Sequence, residues 1–171
     1  MDTNVECPGC KAILPNQNLG LDEHYNACGE CVKLYGDLSA YNMEKQDITF
    51  IHQLVVDTYA AQHAGRATKN IRAVYSLVGL YLVNEHEFTG RQVQQAHMKL
   101  SKHRIDWPNL APPKQTCDSN LAKIMKIVED DERVAMILNW SEGVWKTWDL
   151  NHEWIRMICK EYQLIEYENV R

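Results

Sequence analysis

No apolar run in this chain of 171 residues approaches the ~20 residues that cross a bilayer as a helix. Its opening, MDTNVECPGC, has neither the basic start nor the apolar stretch of a secretory leader. These two absences predict a cytoplasmic protein with no membrane partner. Basic charge is also sparse. Eighteen Lys and Arg against 23 Asp and Glu leave a net charge of −5, and no basic run is longer than two. Phosphate backbones are bound by clustered cations that release counterions, so a nucleic-acid role is disfavoured, with Lys99, Lys102, His103 and Arg104 as the densest basic stretch. No strand-like alternation of useful length, internal repeat or low-complexity tract is found, which argues against a β-rich fold, a solenoid or a disordered chain.

What the chain does have is cysteine at suggestive places. Cys7-Pro8-Gly9-Cys10 and Cys28-Gly29-Glu30-Cys31 are two CxxC pairs with seventeen residues between them. Tetrahedral Zn²⁺ takes four soft donors, and each CxxC supplies two from one tight turn, so the spacing is that of zinc ribbons and knuckles. Reducing conditions favour metal ligation over disulfides for such pairs. The expected ligands are Cys7, Cys10, Cys28 and Cys31, with His24, four residues before Cys28, as the alternative fourth donor. A closed site of this kind is structural and contributes folding energy. Cys117, in a loop with no basic neighbour obvious enough to lower its thiol pKa, and Cys159, on an apolar stripe, read as unrelated to it.

Beyond the knuckles the pattern is helical, and the chain reads as a mainly α protein: a zinc-binding module over 1–33, a helical bundle over 34–165 packed against it, and a loose tail over 166–171. A first helix is expected from about Cys31, with a break near 42–46. Asp47 then caps a helix through His63, which Gly65 ends. Thr68 opens a third helix whose stretch from Ala73 to Val83 is apolar nearly all round and therefore buried. A fourth runs from Thr89 to about His103. Pro108, Pro112 and Pro113 make 104–118 a loop, and a late helix reaches Trp148 before a last one from Asn151 to Tyr162.

A second constellation lies in the helix from Asp47. His52 and His63 are eleven residues apart, about 16 Å along a helix, and cannot share a metal between them. Asp57 points toward a buried side, where an unpaired carboxylate is costly. Two accounts stand: a hydrogen bond to a neighbouring helix, or a base or ligand in a cleft completed by His152. The candidate catalytic residues are accordingly Asp57, His63 and His152, and a possible second metal site would use His52, His63 and His152.

The CPGC start, Cys31-Val-Lys-Leu-Tyr35, the run from Val56 to His63, Leu77-Val-Gly-Leu-Tyr-Leu82 and Val144-Trp-x-x-Trp148 with His152 together resemble a bacterial family catalogued as a domain of unknown function. The resemblance spans most of the chain. It implies a metal-stapled helical protein and draws attention to Asp57, His63 and His152. It also implies that the first CxxC and Cys31 are the regular features while the position of Cys28 is less so, which keeps His24 in play. A weaker similarity is to DinB-like helical bundles, which hold a metal with three histidines and include transferases and hydrolases. The paired histidines of their late helix are missing, since His152 has no histidine three or four residues on. Two functions follow as expectations: a zinc-stapled protein that binds a protein or small-molecule ligand, or a metal-dependent hydrolase or transferase working in a helical cleft.

Overall fold

The computed structural model describes residues 3–165, so the loose tail expected over 166–171 lies outside the described residues. Two three-residue strands, β1 (Asn4–Glu6) and β2 (Ile13–Pro15), form an antiparallel hairpin with Val5 opposite Leu14. The hairpin holds the first CxxC in its turn. Seven helices follow among the described residues: α1 (Gly29–Glu44), α2 (Ile51–Gln62), α3 (Asn70–His86), α4 (Gly90–Leu100), the short α5 (Leu121–Ile124), α6 (Asp130–Thr147) and α7 (His152–Glu161), the last entered through a 3₁₀ turn over Asp149–Asn151. The mainly α reading therefore holds.

Local chemistry explains the boundaries. Thr89 and Gln92 form a reciprocal capping box that starts α4, and the Asn120 side chain accepts from Lys123 N to start α5. Asp47 works one step earlier than a true cap. Its carboxylate accepts from Thr49 N and Ile51 N, which lets Phe50 take a left-handed backbone just before α2. The first helix ends at Glu44, inside the break expected over 42–46.

The helix from Ala73 to Val83 is buried as its composition predicts, but it shares the centre with α2. The latter packs on α1, α3, α4 and α6, and α3 packs on α2, α4, α6 and α7. Trp140 and Trp148 of the late aromatic stripe are fully buried, and their indole N–H groups donate to Gln62 Oε1 and to the Ala61 carbonyl at the end of α2. One core cluster runs from Cys7 to Leu164. The C-terminal end of α2 is thus held by α6 from one side, and from the other by the N-terminal segment.

Candidate metal centre

The turn after β1 is fixed by Cys7 N donating to Ala12 O and Lys11 N to Cys7 O, with Lys11 in the left-handed region. That turn aims Cys7 and Cys10 at the start of α1, where Cys31 sits. From the opposite side, Asp22 organises the loop by accepting from His24 N and Tyr25 N. Asn26 N then donates to the His63 carbonyl, and the Thr68 hydroxyl donates to the His24 carbonyl. The loop is thereby fastened to the end of α2, and the His63 side chain is brought to the cysteines.

The outcome is a group able to hold a metal ion. One ligand atom each from Cys7, Cys10, Cys31 and His63 lies within 4.8 Å of the others, and all four residues are buried. Cys10 Sγ is 3.8 Å from Cys31 Sγ, and Cys31 Sγ is 3.4 Å from His63 Nε2. His63 Nδ1 lies 2.9 Å from the Tyr59 carbonyl. A carbonyl only accepts, so Nδ1 carries the proton and Nε2 presents its lone pair to the thiols. This second bond is the one that orients metal-ligating histidines. The His63 ring is further clamped by stacking on Tyr59 at 4.2 Å, which itself stacks on Tyr35.

Crowding of the thiols has an electrostatic consequence. Hydrogen bonds from Cys10 and Cys31 hold the Cys7 thiol far below its ordinary range, while contacts with Cys10 and Cys7, reinforced by burial, push Cys31 far above it. Three buried thiols cannot all ionise side by side without a cation between them. A metal ion held by this group would supply that charge.

The group differs from the expected four thiolates, and His63 stands where Cys28 or His24 was anticipated. Cys28 is buried and its thiol contacts that of Cys7, but it lies outside the set of four mutually close donors. Cys28 is the extended residue that caps α1, bridges to Leu21 and accepts from Cys31 N through its carbonyl. Burial pushes the Cys28 thiol up to about 11. His24 is exposed and contributes its backbone instead.

The other singled-out residues do not converge. Asp57 is buried with Gln53 Nε2 at 3.1 Å as its polar partner, and desolvation pushes its carboxyl well above the usual range. His152 donates to or accepts from nothing in that region. Its Nε2 meets the Trp145 carbonyl at 2.9 Å and its ring stacks on Trp145 at 3.7 Å. His52 lies at the start of α2, with Nδ1 buried and unpartnered. Among the described residues, Cys7, Cys10, Cys31 and His63 make the one cluster of His, Cys, Asp or Glu close enough to share an ion, so His52 and His152 build no second centre with His63.

Beside the centre, a cleft of about 530 Å³ opens between Pro8 and Gly9 of the knuckle, Gln62 of α2, the loop around Pro113 and Thr116, and Trp148. Among the described residues, no histidine, aspartate or glutamate lines it. Its cysteine, Cys117, is pushed up by burial, the reverse of an activated nucleophile.

Residues 5–149 match the family described as "Family of unknown function (DUF5946)", and the chain belongs to that family. No curated protein and no solved structure matches it. Among the described residues no helix is long and apolar enough to cross a membrane.

Proposed function

We propose that this member of the DUF5946 family is a ligand- or partner-binding protein of the bacterial cytoplasm, built on a structural Zn²⁺ held by Cys7, Cys10, Cys31 and His63. The observation that carries the zinc assignment is a pair of distances. In a tetrahedron with ~2.3 Å metal–sulfur and ~2.0 Å metal–nitrogen bonds, sulfur–sulfur and sulfur–nitrogen edges measure about 3.8 and 3.5 Å. Cys10–Cys31 at 3.8 Å and Cys31–His63 at 3.4 Å fit those edges. Three thiolates with one imidazole are a donor set that suits zinc, and four buried protein ligands leave no position for a substrate.

The ion would join the hairpin, α1 and α2, three segments that are remote in sequence, and so fix the wall of the neighbouring cleft. That cleft offers amide, hydroxyl and ammonium groups and no general base, which supports binding over catalysis. The net charge of −5 makes nucleic acid a poor occupant.

Cobalt substitution provides the test. Protein purified without added metal is expected to carry one zinc per chain. The Co²⁺ form should show tetrahedral thiolate spectra that added azide leaves unchanged. A band shift with azide would reveal an open coordination position and return the metal-dependent hydrolase or transferase to first place.

A further inference from the structure

A half-open groove of about 250 Å³ lies where the end of α1, the start of α2 and the first turns of α6 meet. Its walls are largely apolar, from Tyr41, Ile51, Val134 and Ile137. Tyr41 is about 15 Å along the axis of α1 from Cys31, which separates the groove from the metal centre. The apolar surface continues past its rim. Val128 is 82% exposed in a shallow recess that shares Asp130 with the groove, and Ile48 is 90% exposed next to Asp47 of the rim. Leu138 is 45% exposed one turn after Val134, on the same face of α6. Large aliphatic side chains grouped in this way around a groove mark an interaction surface.

Charge selects the partner. Glu129, Asp131 and Glu132 line the recess beside Val128, all three exposed and none in an ion pair among the described residues. The cations of the same rim are already committed. Lys45 pairs with Asp130, and Arg133 lies over the Tyr41 ring and donates to the Ile127 carbonyl. Acids at the start of α6 suit the helix dipole, which accounts for their place but not for the aliphatic side chains exposed among them. The charge left free around this apolar groove is negative.

We propose that this face docks a basic amphipathic helix of a partner protein. Its aliphatic side chains, three and four residues apart, seat in the groove against Ile51, Val134 and Ile137, while its Lys or Arg side chains meet Glu129, Asp131 and Glu132. An apolar helical face laid into an apolar groove supplies the affinity, and the rim charges set orientation and on-rate.

The probe is a leucine–lysine peptide of about four helical turns, amphipathic as a helix, titrated into the metal-loaded full chain with ¹³C-labelled Ile and Val methyl groups. Two controls accompany it: a peptide of the same composition rearranged so that no helical face is apolar, and a leucine–glutamate counterpart. Saturating shifts confined to Ile48, Ile51, Val128, Val134 and Ile137, at least tenfold weaker for the rearranged peptide and absent for the acidic one, are the expected result. Val134→Asp separates burial from charge. It adds an acid, so a purely electrostatic association tightens, whereas seating in the groove weakens at least tenfold. The Trp140 indole N–H, fixed on Gln62, reports that the variant is folded, and Leu138→Asp repeats the test at the exposed edge of the same face. Shifts scattered over the acidic surface, equal affinity for the rearranged peptide, or undiminished affinity in both aspartate variants would overturn the proposal. So would a free chain that sediments as a dimer and becomes a monomer in Val134→Asp, since a second copy then covers this face. None of these readouts involves the metal ligands or the cleft beside them.

Discussion

The carboxylate of Asp57 occupies the space that a side chain on Gly79 would need. A Cβ at Gly79 would come within 2.0 Å of Asp57 Oδ2. The α2–α3 crossing is therefore built on a glycine that admits an acid, in a place where burial favours the neutral carboxyl. A folded-state pKa raised above the unfolded value means that the folded chain binds the proton more tightly. The resulting stability is complete below the unfolded value, near 3.8, and is lost as pH rises through the folded one. Asp57→Asn should therefore gain stability relative to the parent as pH climbs from 5 to 8.5, read by denaturant melts of both chains. A gap that stays constant with pH would show that Asp57 is ionised in the fold. Gly79→Ala should cost about 1–3 kcal/mol by overpacking, and Asp57→Ala should relieve part of that loss.

Ligand identity can be read residue by residue. Cys31→Ser and His63→Ala should each release the metal to a colorimetric chelator under native conditions, because each removes one of four close donors. Cys28→Ser and His24→Ala should keep one equivalent bound. Cys28→Ser is expected to weaken retention at most modestly, through its contact with Cys7. Metal lost from Cys28→Ser but retained in His63→Ala would restore the four-thiolate site.

The contrast between those two residues shows where sequence was informative. Helices α3 and α4 were legible because an unbroken apolar stretch and a Thr89–Gln92 capping box are local signals. The first CxxC was legible for the same reason. The hairpin was not, since strands of three residues carry too little alternation to register. Cys28 matched a spacing rule, yet its extended backbone pairs with Leu21. His63 drew notice as a helix residue, but 32 positions separate it from Cys31, and no local pattern encodes that pairing. It arises from Asn26 and Thr68 fastening the loop to the end of α2.

Gly9 of the CPGC turn offers a sharper test of the site's packing. A Cβ there would lie 2.4 Å from the Asn26 carbonyl oxygen and 2.8 Å from His63 Cδ2. Neither can yield easily, because the first is backbone and the second belongs to a ring clamped by Tyr59. Gly9→Ala should therefore lower thermal stability by about 1–3 kcal/mol and loosen metal binding together, although it removes no ligand. Competition with a chelator of known affinity measures the second effect. Parent-like metal affinity in Gly9→Ala would mean that the turn and the histidine are not in contact.

His97 predicts the acid limb of the stability curve. Its Nε2 lies 2.9 Å from the Tyr75 carbonyl and so donates to it, and burial lowers its pKa from 6.5 to about 4, against the opposing pull of that hydrogen bond. A histidine depressed in the fold binds fewer protons folded than unfolded. Its contribution is present above pH 6.5 and is lost as pH falls toward 4. His97→Gln keeps an N–H for the Tyr75 carbonyl but cannot titrate. The two chains should agree within about 1 kcal/mol at pH 7.5, and the parent should lose stability faster between pH 6.5 and 4. Acid release of the metal is common to both and cancels in the difference. Parallel curves over that interval would place the charge change of His97 outside the folding equilibrium.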